Sequence, residues 1–125
     1  MDSPDRRRAV RLTTRLSTTF KNLHTGIVQQ ALTRDISGEG VCLLTEEMLE
    51  PGTPLAVEIH LPDYDAPIAF LADVVWSMLV IDQETLSKHP LSETGVKYVS
   101  IDPKLRTCIM QYAALHALPP EDAET

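Results

Sequence analysis

Four arginines crowd the start of this chain: Arg6, Arg7, Arg8 and Arg11 fall within six positions of the segment DSPDRRRAVR. Guanidinium groups serve where planar, forked hydrogen bonding to phosphate oxygens or a purine edge is needed, and their planes stack on bases. A second useful group follows in Asp35-Ile36-Ser37-Gly38-Glu39-Gly40, with a carboxylate, a hydroxyl and two glycines. A carboxylate accepts from N–H donors and a hydroxyl bonds in either direction. Glycine allows positive φ and lets backbone N–H groups approach a ligand with no Cβ in the way. The chemistry on offer is anion binding and hydrogen bonding rather than bond making.

Bond-making chemistry finds little support elsewhere. His24, His60, His89 and His116 fall in a turn, on a strand face, in a loop and near a helix end, with no H-x-x-x-H or C-x-x-C spacing. Cys42 and Cys108 read as small core residues, one in a short strand and one on a helix stripe. There is no Walker loop and no G-x-S-x-G elbow. Glu46-Glu47 and Asp63/Asp65 are acidic pairs in turns, which a solvated surface explains. The expectation is a binding protein, not an enzyme, with no metal and no cofactor.

The chain has 125 residues, 43% of them apolar, enough for one domain with its own core. Two well-separated cysteines fit a reducing, cytoplasmic setting. No apolar run approaches the roughly 20 residues of a membrane span, and no signal-peptide stretch opens the chain, so no membrane insertion is expected. Charge is uneven. Residues 1–38 carry seven Lys/Arg against three acids, a net of +4, whereas residues 39–125 carry four against fifteen, a net of −11. Such an acidic body repels long polyanions, so nucleic acid is not an expected partner.

Period-two alternation supplies most of the elements that must position these residues. Leu12 to Phe20 reads as a strand, with Leu12, Leu16 and Phe20 on one face and Arg15 on the other. Asn22 to Gly26 is a turn and Ile27 to Arg34 the returning strand, broken at Asp35–Gly40. Val41 to Thr45 follows. Leu55, Val57, Ile59 and Leu61 then alternate with polar or small residues, and Ile68 to Trp76 forms a longer strand. This phase puts Trp76 and Tyr98 on core-facing positions. Met78 to Glu93 extends the strand through Ile81, then reads as a loop or short helical turn around Asp82–Lys88. Val96 to Val99, entered through Gly95, is the last strand. Asp102-Pro103 starts a helix whose stripe is Leu105, Cys108, Ile109, Tyr112 and Leu115, and Pro119-Pro120 ends it. The expected fold is mainly all-β: a six-stranded antiparallel β-barrel with a C-terminal α-helix. Its segments are a flexible basic arm (1–11), the barrel (12–101), the helix (102–118) and an acidic tail (119–125).

Arg7-Arg8-Ala9-Val10-Arg11 resembles the R-x-x-x-R arm of the PilZ domain, and Asp35-Ile36-Ser37-Gly38-Glu39-Gly40 resembles its D/N-x-S-x-x-G turn. Both stand in the family's order, with one hairpin between them. The likeness covers about residues 5–101, including Leu61-Pro62, Val74-Val75-Trp76 and Thr94-Gly95-Val96-Lys97-Tyr98-Val99. PilZ domains are bacterial receptors for cyclic di-GMP, so the resemblance implies that ligand and a barrel of PilZ type. It implies Arg7, Arg11, Asp35, Ser37 and Gly40 as ligand-binding residues, with Arg6, Arg8, Arg34 and Gly38 as further contacts. Asp35 suits the N1–H and N2–H₂ donors of guanine. A protein partner is expected downstream, with Met78–Ile81 the segment to suspect. The alternative is a PilZ-like adaptor with weak or no nucleotide binding.

Overall fold

A computed structural model describes residues 10–80 and 91–117. The basic residues Arg6, Arg7 and Arg8, the segment Asp82–Lys88, and the Pro119-Pro120 stop with its acidic tail lie outside the described residues. The elements are β1 (Arg11–Thr13), β2 (Ser17–Asn22), β3 (Val28–Ser37), β4 (Gly40–Thr45), β5 (Pro54–Ile59), β6 (Ile68–Val80), β7 (Leu91–Ser100) and α1 (Pro103–Ala117). Six strands pair in the order β3-β2-β5-β6-β7-β4, and β3–β4 pairing closes them into an antiparallel barrel. The short β1 is an extra strand on β3.

The alternating residues fill the barrel as expected. Phe20, Leu55, Val57, Ile59, Leu61, Ile68, Phe70, Ala72 and Val74 are buried in one cluster, each large side chain stabilising the fold by about 1.5–3 kcal/mol. Helix α1 is capped by Asp102, whose carboxylate accepts the Lys104 N–H at 2.8 Å, with Pro103 at the first helical position. It seats Ile109 and Ala113 in the core. Leu115, expected on that stripe, is exposed instead: it lies about 200° around the helix from Ala113, the small residue that allows the close approach.

Four irregularities depart from simple alternation; one lies at Val99, where Leu71 pairs with Ser100 but Ala72 with Tyr98, and the other three have consequences for the groove on the outer surface. The expected Leu12–Phe20 strand is split in two. Thr13 stands opposite Asp35 but Ser17 opposite Leu32, so the β1–β2 side holds one extra residue. Thr33 fills that gap: its hydroxyl accepts the Leu16 N–H at 2.9 Å and donates to the Thr14 carbonyl. On the other edge of β3, Thr33 pairs with Leu43 but Asp35 with Cys42, which makes a bulge at Arg34. In β6, Val74 pairs with Val96 but Trp76 with Gly95, a second bulge at Val75.

Bulges shift the phase of a strand. Thr33 and Ile36 are both fully buried, and the carboxylate expected in a turn belongs to the body of β3, facing outward beside Cys42. Trp76, expected in the core, is likewise turned out. Its indole packs against Gly95, where a Cβ would lie 2.4 Å from the ring nitrogen. Tyr98 does pack inward, edge-on to Phe70 with ring centres 4.9 Å apart. The strand pair β6–β7 also reaches farther than the last expected strand, since β7 begins at Leu91.

Candidate functional site

The bulges at Arg34 and Val75 place Asp35 and Trp76 in one row across the outer wall: Asp35, Cys42, Gly95 and Trp76 are successive cross-strand partners. Three strand spacings separate the ends, about 14 Å. Beneath this row lies a groove of about 260 Å³ lined by Arg11, Arg34, Cys42, Trp76, Gly95 and Lys97, among others. Small residues form its floor, and cations and an indole form its walls.

Arg11 reaches Asp35 because of register. It pairs with Ser37, so Asp35 is its diagonal neighbour on the same face of β3. Its Nη1 donates to Asp35 Oδ1, while Arg34 Nε donates to Oδ2 at 2.6 Å. Arg34 Nη1 in turn donates to Glu93 Oε1 at 2.6 Å. The result is an alternating chain, Arg11–Asp35–Arg34–Glu93, drawn from three strands. Its exposure is graded: the Asp35 side chain is 4% exposed, Glu93 20%, Arg34 35% and Arg11 49%. The buried acid therefore holds two guanidinium groups that face solvent. The hydrogen bond to Asp35 raises the Arg34 pKa further, so this cation never titrates under ordinary conditions.

Ser37 and the glycines build the turn after β3. The fully buried Ser37 hydroxyl accepts the N–H groups of Glu39 at 3.1 Å and Gly40 at 3.3 Å, and donates to the Gly40 carbonyl. Tyr98 donates its hydroxyl to the Ser37 carbonyl at 2.7 Å, and Arg106 of α1 donates Nε to the Gly38 carbonyl at 2.7 Å. Burial pushes the Tyr98 pKa up, which keeps this phenol a donor. Neither glycine uses positive φ, in contrast to the sequence expectation; among the described residues only Gly26 and Gly52 do. Close approach explains both instead. A Cβ on Gly40 would lie 2.4 Å from the Val96 carbonyl oxygen, and one on Gly38 would lie 2.6 Å from Met110 Cγ.

Of the expected binding residues, Arg11, Arg34 and Asp35 converge in one contact chain, and Ser37, Gly38 and Gly40 shape the adjoining turn. Sequence reasoning misses Trp76, Glu93 and Lys97. Unbroken alternation assigns Trp76 to the core, and Glu93 sits at the end of the stretch that alternation does not read. Burial pushes the Cys42 thiol up to about 11, against the pull of Arg34, and so favours its neutral form. Among the described residues, no group of His, Cys, Asp or Glu could hold a metal ion, and no helix is long and apolar enough to cross a membrane.

A family profile described as the PilZ domain matches residues 5–115. No curated protein sequence matches the chain. Among solved structures, the chain is similar to the Bacillus subtilis inhibitor of motility MotI/DgrA, with a TM-score of 0.69 and 18% identity over 88% of this chain and 50% of that one. The PilZ domain of YcgR from Escherichia coli, solved with cyclic di-GMP, gives 0.66 and 17% over 90% of this chain and 94% of its own. The K. pneumonia MrkH–cyclic di-GMP complex gives 0.72 and 14% over 88% of this chain and 51% of that one. The chain thus spans about half the length of MotI/DgrA and MrkH. With a profile match over most of its length and a closed six-stranded barrel, the chain belongs to the PilZ domain family.

Proposed function

We propose that this PilZ domain is a cyclic di-GMP receptor without catalysis of its own. The observation that carries the reading is the meeting of Arg11 and Asp35, one residue from each motif and 24 positions apart, at the edge of an outward groove. Similarity to cyclic di-GMP-bound YcgR and MrkH supports it. Arg11 swings from Asp35 onto the ligand, and Arg7, four positions earlier, adds a second guanidinium. Charge-assisted hydrogen bonds to phosphate and forks on guanine O6 and N7 hold the dinucleotide. The uncovered Asp35 carboxylate then accepts from guanine N1–H and N2–H₂, which selects guanine over adenine. Ser37 and the glycines keep Asp35 and β4 in register, and Trp76 offers a stacking face. Closure of the arginine segment over the groove alters the surface shown to a protein partner.

Competition tests this reading. Cyclic di-GMP should displace a fluorescent cyclic di-GMP probe at micromolar concentration or below, and cyclic di-AMP should fail at a hundredfold excess. Equal displacement by cyclic di-AMP would remove Asp35 as the guanine reader. Displacement by duplex DNA but not by cyclic di-GMP would replace the reading with polyanion binding.

A partner surface at the far end of β6 has its own support. Met78 and Leu79 are both about half exposed, just beyond the groove residue Trp76. Deleting Asp82–Lys88 should leave nucleotide affinity unchanged; loss of affinity would move the nucleotide site toward this end of β6.

A further inference from the structure

Neither family motif accounts for Glu93. It stands on β7 opposite Leu44 of β4 and Met78 of β6, and its carboxylate reaches past β4 to Arg34 on β3. Among the described residues it pairs with Arg34 alone. It does not line the groove, and meets it only through that guanidinium. The pair is also a poor device for stability, because the Arg34 side chain is 35% exposed and solvent-facing ion pairs contribute little.

Arg34 is held at two edges, by Asp35 through Nε and by Glu93 through Nη1. The two acids have different duties. Asp35 also holds Arg11, so its removal would disorganise both cations. Glu93 adds negative charge directly behind a cation that faces the groove. Among the described residues around the groove, Arg11, Arg34 and Lys97 are matched in number by Asp35, Glu93 and Glu39, so Glu93 offsets part of the positive charge an incoming dianion would meet there.

We propose that Glu93 is a positioning residue that sets the affinity of the nucleotide site, by holding Arg34 in competition with the phosphate of the ligand. The inference rests on the cyclic di-GMP reading. Nη1 and Nη2 of Arg34 form the edge that best fits a phosphate, and Glu93 occupies half of it. Binding exchanges the Glu93 contact for one to the ligand while Nε stays on Asp35. Each ligand bound thus costs the free protein an ion pair, which keeps affinity below what the arginines alone would give. Glutamine separates charge from position. It keeps the size of glutamate and an oxygen acceptor for Nη1 but carries no charge.

Calorimetric titration of the full chain with cyclic di-GMP, on the unmodified protein, Glu93→Gln, Arg34→Gln and the double variant, tests this. Glu93→Gln should bind about three- to tenfold more tightly, as expected for removing one charge a few ångströms from a dianion in a wet groove. The gain should vanish in the Arg34→Gln background, since the effect runs through that residue. Unchanged or weaker binding by a folded Glu93→Gln would overturn the inference and leave the nucleotide reading intact, as would a gain that persists without Arg34. If the glutamine variant folds poorly, Glu93→Thr should show the same gain, and its absence there would overturn the inference equally. Absence of binding by the unmodified protein would overturn the nucleotide reading itself, and this inference with it.

Discussion

On one side of the barrel, β2, β5 and β6 pair without a register shift, and a depression of about 460 Å³ lies among Lys21, Ala56, Glu58, Ala69 and Leu71. On the other side, β3, β4, β7 and β6 enclose a groove of about 260 Å³, and two of the ladders crossing it are bulged. The larger hollow holds no ion pair among the described residues, and its floor is alanine. The smaller one is lined by two arginines that the buried Asp35 grips and by an indole packed on a glycine. Size does not mark the site. Broken register distinguishes the candidate site, because the bulges at Arg34 and Val75 each take a residue whose alternation belonged to the core and turn it to the outer wall.

Substitutions on the two faces test that contrast. The largest effect should follow Asp35→Ala, which removes the common partner of Arg11 and Arg34: cyclic di-GMP affinity should fall at least about fiftyfold, near the upper range for charge-assisted contacts. An unaffected affinity in fluorescence titration would show that the acid only buttresses the strand. Gly40→Ala should act on the fold. Its Cβ meets the Val96 carbonyl, so β4 and β7 must part, at a cost of about 1–3 kcal/mol and a drop of several degrees in thermal midpoint. An unchanged midpoint would mean that the ladder yields freely there. Trp76→Ala should weaken binding about five- to tenfold through lost stacking, with the midpoint nearly constant because the ring is partly exposed. On the regular face, Leu71→Ser should change neither affinity nor its salt dependence; a loss there would erase the distinction between the faces.

Cys42 gives a pH-dependent check on the groove floor. Burial raises its thiol from 9.0 to about 11 in the folded state, so the stability it lends as a neutral group is whole below pH 9 and is lost as pH climbs toward 11. The thermal midpoint should fall over that interval, and Cys42→Ala should flatten the slope. An identical slope in the variant would assign the loss to other groups, Tyr98 first among them.

Much of the fold was legible in the sequence because β5 and the first half of β6 are uninterrupted: Leu55, Val57, Ile59 and Ile68, Phe70, Ala72 keep strict alternation and are all buried. The helix start at Asp102-Pro103 was legible for the same local reason. The site was legible only in part. The residue types of Arg11 and Asp35 stand out, but alternation carried across Val75 assigns Trp76 to the wrong face, because a single extra residue inverts everything beyond it. The reason for Gly38 and Gly40 was likewise hidden, as it depends on Met110 and Val96, neighbours supplied by the fold. Glu93 was out of reach altogether. Its partner lies 59 positions away, and only the closing of the barrel brings the two together.

On the proposed function, Arg11, released from Asp35, binds cyclic di-GMP. Isothermal titration of the unmodified chain and Arg11→Ala at moderate salt measures it directly. Micromolar or tighter binding is expected, weakening tenfold or more in the variant, with the thermal midpoint of the free protein nearly unchanged. No heat of binding at tens of micromolar ligand, or equal affinity without Arg11, would contradict it.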